Sequence, residues 1–65
     1  MGEDRFQLYA ARKLPNVNFD VLTDEEGDIL RARCKGNPTY TANLLHMSVE
    51  TVHRRQRMIQ KKLGV

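Results

Sequence analysis

Three helix-start signals constrain the fold of this chain most, because they stand only fourteen and eleven residues apart. A threonine, asparagine or serine side chain can accept a hydrogen bond from a free N–H in the first turn of a helix. These residues are Thr23, Asn37 and Ser48, and they predict three helices with very short connections. A chain divided in this way is expected to be all-α.

The helix after Thr23 carries the most complete set of terminal signals. Thr23 and Glu26 have the spacing of a capping box, and the acidic first turn suits the positive end of the helix dipole. Gly36 is placed to end this helix. Its expected apolar face consists of Ile29, Leu30 and Cys34.

The two following helices are joined by a tight turn. Pro38 after Asn37 favours a helix over residues 38–45, and Ser48 precedes one over residues 49–63 that Gly64 would end. Between them His46 stands where such turns usually have a glycine, because the backbone there tends to positive φ. The helix crossing is expected to use a small residue and three larger apolar ones: Ala42, Leu45, Met47 and Val52.

The last helix has an apolar stripe and a basic face. The spacing predicts a core stripe of Val49, Val52, Ile59 and Leu63. The opposite face is expected to carry His53, Arg54, Arg57, Lys61 and Lys62. Met47 and Met58 are expected to fill the core.

Charge is divided unequally along the chain. Residues 1–30 carry seven acidic and three basic residues, whereas residues 31–65 carry eight basic residues and Glu50 as the one acid. The halves therefore have net charges of −4 and +7. A half-chain this basic favours a polyanion partner such as nucleic acid, although a solvated basic face is the simpler alternative.

The first 21 residues are expected to form a separate helix and linker. Residues 3–14 read as an amphipathic helix that Pro15 stops. Residues 15–21 alternate apolar and polar, which fits a short edge strand or, as we prefer, a linker packed on the domain of residues 22–65. The apolar residues Phe6, Tyr9 and Leu14, with Ala10 beside them, form a candidate dimer or docking face.

Several segments together resemble one family. They are LTDEEGDIL (Leu22 to Leu30), Gly36, SVETV (Ser48 to Val52) and IQKKLGV (Ile59 to Val65). Residues 22–65 thereby resemble the LuxR/GerE-type helix-turn-helix of bacterial transcription regulators. The resemblance implies a three-helix DNA-binding domain, here with an additional N-terminal helix.

The resemblance also implies which residues contact DNA. Ser48 and Thr51 would donate to phosphates, and His53 stands where the family usually has a lysine, which implies a weaker or pH-dependent contact. An arginine can bind guanine with two hydrogen bonds, and Glu50 could accept from cytosine. The expected DNA-binding residues are Ser48, Val49, Glu50, Thr51, His53, Arg54, Arg55, Arg57 and Lys61.

The sequence departs from the family pattern in two places. The loop between Gly36 and Ala42 looks one residue shorter than usual. The family's fourth helix, which commonly supports dimerisation, has no counterpart before Val65. We expect the N-terminal helix to take its place in packing or in pairing with a second copy.

The expected function is sequence-specific binding of double-stranded DNA by a bacterial, cytoplasmic, nucleoid-associated transcription regulator. A homodimer or another transcription protein is an additional expected partner. One alternative is a protein-interaction module that binds and modulates a transcription regulator or RNA polymerase. A second alternative is a sigma-factor-like promoter-reading module.

Enzyme, membrane and metal functions are not expected. No apolar run approaches the 18 residues of a membrane span, and 65 residues leave little room for a substrate pocket. Cys34, His46 and His53 come from three elements and lack the spacing of a zinc site. We therefore expect no cofactor and no small-molecule substrate.

Overall fold

The computed structural model describes residues 4–64, and over these residues all regular structure is helical. The helices are α1 (Arg5–Lys13), α2 (Asp24–Lys35), α3 (Pro38–Leu45) and α4 (Val49–Leu63). Two short 3-10 helices, Leu14–Asn16 and Phe19–Val21, connect α1 to α2. The all-α prediction is confirmed. No helix within the described residues has both the length and the apolar character needed to cross a bilayer.

The connection between α1 and α2 is a linker packed on the core, as we preferred, and the edge-strand alternative is wrong. The connection is neither an edge strand nor fully extended, since 3-10 turns occupy six of its residues. The Asn18 side chain accepts a hydrogen bond from the backbone N–H of Asp20 and thereby begins the second turn. Local bonds of this kind compete with a strand. Val17 and Phe19 still pack against the core, as expected of a docked linker.

The ends of α2 follow the sequence signals. Thr23 and Glu26 exchange both bonds of the capping box, at 3.1 and 2.9 Å. Gly36 ends the helix, but its backbone is extended rather than left-handed. A glycine is needed there because the Tyr40 ring lies where a Cβ would stand.

The turn between α3 and α4 is held by one backbone oxygen. The carbonyl oxygen of Ala42 accepts hydrogen bonds from the N–H groups of His46 and Met47. This arrangement requires a left-handed residue, and His46 takes it with φ 57° and ψ 47°. The expectation of positive φ at His46 is confirmed. Ser48 then accepts from the Thr51 N–H and begins α4.

Replacing His46 with glycine is expected to raise the free energy of unfolding by about 0.5–1 kcal/mol. A left-handed backbone costs a residue with a Cβ about 1 kcal/mol, and the greater freedom of glycine in the unfolded chain offsets part of the gain. Urea denaturation measures the change. His53→Gly, within α4, is the control and should lower stability instead. A loss of stability in both variants would contradict the account of the turn.

The core draws on every α-helix. Its buried apolar residues are Phe6, Ala10, Ile29, Leu30, Ala42, Val52 and Ile59. Tyr9, Leu14 and Cys34 are partly buried against this cluster. Phe6 is only 5% exposed, so its ring packs inside the molecule and is not accessible to a second copy of the chain. The N-terminal helix therefore packs into the same core as residues 22–65.

Two core predictions for α4 are wrong. Val49 is 37% exposed and Met58 is 44% exposed, whereas Val52 and Ile59 are fully buried and Leu63 packs against them. Met58 lies on the outward side of the helix. Val49 is in the first turn of α4, at the edge of the stripe.

Arg33 is the feature of the interior that the sequence analysis missed. The side chain is 2% exposed and uses four of the five N–H donors of an arginine. Two donors hold the Asp4 carboxylate, at 2.6 and 2.9 Å, and the others reach Gly36 O and Gln56 Oε1. The guanidinium also lies 5.2 Å from the centre of the Phe6 ring. Arg33 thus connects the start of α1 to α2 and α4.

Two carboxyl groups make the stability sensitive to acid. The hydrogen bond from Arg33 lowers the pKa of Asp4 below its ordinary value of 3.8. Burial raises the pKa of Glu26, but the hydrogen bonds from Lys62 and the Thr23 N–H outweigh burial and bring this pKa below 4.5. In both cases the folded protein binds the proton more weakly than the unfolded chain does.

Stability is therefore expected to be constant from pH 7 to about pH 5 and to fall at lower pH. The stabilisation is fully present above the unfolded pKa values and is lost as the pH falls through the lowered folded values. Denaturation in urea at pH 3–7 measures this dependence. Glu26→Gln should lower stability at pH 7 and flatten the dependence below pH 4.5. An unchanged pH profile in that variant would contradict the assignment.

Candidate nucleic-acid interface

One side of α4 faces away from the rest of the molecule and carries most of the exposed charged residues of this helix. This outer face consists of Glu50, His53, Arg54, Arg57 and Lys61, all of which are exposed. Because a helix rises 1.5 Å per residue, the outer face extends about 16 Å from Glu50 to Lys61. Arg54, Arg57 and Lys61 give this face three positive charges, and its one acid, Glu50, stands at the N-terminal end.

Arg55, which was predicted to contact DNA, and Lys62, which was predicted to lie on the basic face, are both paired with acidic residues of α2. Lys62 Nζ lies 2.6 Å from Oε1 of Glu26, which is 4% exposed. Arg55 Nε is enclosed and lies 2.5 Å from Glu25 Oε1, in an ion pair without hydrogen-bond alignment. The acidic start of α2 therefore neutralises the side of α4 that faces it. The prediction that Lys62 belongs to the basic face is wrong, and Arg55 is less available than its charge suggests.

The outer face contains one internal ion pair. Arg54 Nη2 lies 3.7 Å from Glu50 Oε1, and the two side chains are 68% and 85% exposed. Arg57 and Lys61 form no salt bridge with any residue from 4 to 64. The positive charge available for an external partner is therefore greatest in the middle and at the C-terminal end of the outer face.

The start of α4 offers fewer hydroxyl donors than the sequence suggests. Ser48 Oγ and Thr51 Oγ1 lie 2.8 Å apart and share a hydrogen bond. One of the two hydroxyl protons is used in this bond, so only the other can be donated to an external acceptor. Thr51 itself is partly buried, and Val49, which lies between the two residues in the sequence, is exposed.

The described N-terminal segment leaves the outer face uncovered. Helix α1 packs chiefly on α2. Tyr9, Lys13 and Val17 border a hollow whose α4 wall is Leu63, a residue partly buried against the core. Arg54, Arg57 and Lys61 are consequently accessible to a partner approaching from solvent.

A second surface was not foreseen from the sequence. Tyr40 and Leu44 project from α3 with 42% and 52% exposure and border a groove between α2 and α3. Arg31 and Lys35 stand on the α2 side of this groove. The i, i+4 spacing of Tyr40 and Leu44 could have indicated a shared face, but not whether another helix would cover it.

No group of three histidine, cysteine or acidic side chains that could hold a metal ion occurs in residues 4–64. Cys34 Sγ donates to the carbonyl oxygen of Arg31 within its own helix. His46 is the left-handed residue of the turn between α3 and α4, and His53 lies on the outer face. The three side chains considered as ligands in the sequence therefore have separate surroundings.

Comparison of the chain with protein-family models, with curated proteins and with solved structures gave no match.

Proposed function

We propose that this protein binds double-stranded DNA by placing the outer face of α4 in the major groove. The observation that carries the proposal is the exposed series His53, Arg54, Arg57 and Lys61 along one side of the longest helix. The arginine and lysine side chains in such a row can bind phosphates along the groove, and the arginines can also reach base edges. The internal pairing of Arg55 and Lys62 leaves the positive charge concentrated on that side.

The connection between α3 and α4 supports this role. A DNA-binding helix-turn-helix has two helices joined by a short turn, of which the second enters the major groove and the first crosses the backbone. Here three residues, 46–48, separate α3 from α4, and the buried Ala42 lets the helices approach closely. The major groove is about 12 Å wide and accommodates a helix of this kind.

The resemblance of residues 22–65 to the LuxR/GerE-type family extends the proposal to transcription regulation. The residues that carry the resemblance include the capping pair Thr23 and Glu26 and the start of α4. A single copy offers few contacts, so binding would involve two copies on adjacent half-sites or a second DNA-bound protein. The resemblance to a bacterial family also favours a bacterial protein that associates with the nucleoid.

Selection of bound duplexes from a random pool tests the proposal. An enriched sequence motif would support specific binding, and its symmetry would indicate the number of copies bound. Affinity for the selected duplex should fall steeply as salt rises, because phosphate contacts release condensed counterions. Recovery of no motif, together with binding that salt does not weaken, would reject the proposal.

A protein-interaction function has one observation in its favour. The groove between α2 and α3 exposes Tyr40 and Leu44 beside the basic residues Arg31 and Lys35. Exposed aromatic and aliphatic side chains next to positive charge suit a protein partner. If duplex binding fails and Leu44→Asp abolishes association with a transcription protein, this function replaces the first.

A further inference from the structure

The Glu50–Arg54 ion pair is an unusual feature for a surface that binds DNA. Glu50 carries the one negative charge on the outer face and is 85% exposed. A carboxylate close to phosphates is repelled, so the residue would weaken binding if it faced the DNA backbone. In helix-turn-helix proteins the N-terminal part of the second helix meets base edges. Glu50 stands in that part of α4, one residue after Val49.

The pair contributes little to the fold. Both side chains are mostly in solvent, and their nearest charged atoms are 3.7 Å apart. Exposed pairs of this type stabilise proteins weakly. Both residues also lack any described contact with the core or with another helix. Substitution of either residue should therefore leave the protein folded, so effects on binding can be measured directly.

The hydrogen-bonding chemistry of the pair matches one base pair. We propose that Glu50 and Arg54 together read a cytosine–guanine pair in the major groove, an inference that rests on the proposed DNA-binding function. The Glu50 carboxylate accepts from the N4 amino group of cytosine, and the Arg54 guanidinium donates to O6 and N7 of the paired guanine. N4 and O6 are hydrogen-bonded to each other and so lie about 2.9 Å apart. The 3.7 Å separation between Glu50 Oε1 and Arg54 Nη2 is longer than this distance, but the two side chains are 85% and 68% exposed and free to adjust by small rotations.

Adenine fits Glu50 less well than cytosine does. Adenine places the N7 acceptor next to its N6 amino group, and a carboxylate has no proton to donate to N7. Cytosine presents only its amino donor in the major groove. The ion pair therefore favours cytosine beneath Glu50, and Arg54 favours guanine on the opposite strand.

Duplex selection with the full chain and with Glu50→Gln tests this inference. A glutamine amide both donates and accepts, so it matches N7 and N6 of adenine. The wild-type protein should enrich a cytosine–guanine pair at one position, and Glu50→Gln should admit adenine–thymine there as well, because Arg54 still favours guanine on the opposite strand. The ratio of the affinities for the two duplexes should change at least tenfold. Preferences at the other positions should stay the same.

Asp28→Asn is the matched control, because Asp28 also forms an exposed pair, with Arg31 on α2, at 3.9 Å. It removes the same charge without touching the outer face and should leave all base preferences unchanged. If Glu50→Gln strengthens binding equally to every duplex, Glu50 acts only through its charge and the inference is wrong. If the wild-type protein enriches no motif, this inference fails; if its binding is also insensitive to salt, the proposed DNA binding fails with it.

Discussion

Replacing Arg33 with methionine is expected to lower the free energy of unfolding by about 3 kcal/mol. Removal of one partner from a buried ion pair costs about 3–5 kcal/mol, and the partial exposure of Asp4 places this case at the lower end. The change also removes the donors that serve Gly36 O and Gln56 Oε1. At about 0.05–0.15 kcal/mol per residue, a 65-residue chain has little stability to spare. Much of the variant should therefore be unfolded at 37 °C.

Urea denaturation followed by circular dichroism measures this effect. Arg12→Met, at an exposed position of α1, is the control and should change stability by less than about 0.5 kcal/mol. Combining Arg33→Met with Asp4→Ala should cost less than the sum of the two single changes, because no charge is left without its partner. Equal stability of Arg33→Met and Arg12→Met would contradict the role assigned to Arg33.

The double variant Arg57→Ala with Lys61→Ala is expected to bind the selected duplex about 100-fold more weakly. Each charge-assisted hydrogen bond to phosphate or base contributes about 1.5–3 kcal/mol, or roughly tenfold or more in affinity. If both residues contact phosphates, the slope of log affinity against log salt should also decrease by about two. Fluorescence anisotropy at several salt concentrations measures both quantities.

Arg5→Ala with Arg12→Ala is the matched control, since both residues are exposed on α1, apart from the outer face. The two double variants change the net charge equally. The control should lose less than about threefold in affinity, as expected from long-range charge alone at moderate salt. An equal loss in both variants would mean that the total charge of the protein, and not the outer face of α4, determines binding.

The helices and their boundaries could largely be predicted from the sequence, because their signals are local. The side chains of Thr23, Asn37 and Ser48 each accept a hydrogen bond from the N–H three residues later, as their spacing predicted. The left-handed turn at His46 follows from the same kind of reasoning, because two adjacent helices leave few backbone conformations between them. Such features depend on four or five neighbouring residues.

The role of Arg33 could not be predicted because it depends on a residue 29 positions away. In the sequence Arg33 is one of several basic residues near the end of α2, where such residues favour the helix dipole. Its burial becomes favourable only when Asp4, Gln56 and Gly36 O surround it. That environment is produced by packing of α1 on the other helices.

The sequence could predict in part which basic residues of α4 face solvent and which face the rest of the molecule. Arg55 and Lys62 each follow a buried residue, Val52 and Ile59, by three positions, which places them next to the apolar stripe. The acidic first turn of α2 was also evident, but which edge of α4 it would face depends on the helix crossing. The sequence therefore indicated the basic helix and left open which of its charges face solvent.

An NMR titration of ¹⁵N-labelled protein with a short duplex tests the proposed DNA binding by α4 most directly. The proposal predicts that, at low salt, the largest shifts of backbone amides occur from Ser48 to Lys61 and that added salt reverses them. Amides of α1 should change little. Shifts confined to Tyr40, Leu44 and their neighbours, or no shifts at any salt concentration, would contradict DNA binding through the outer face.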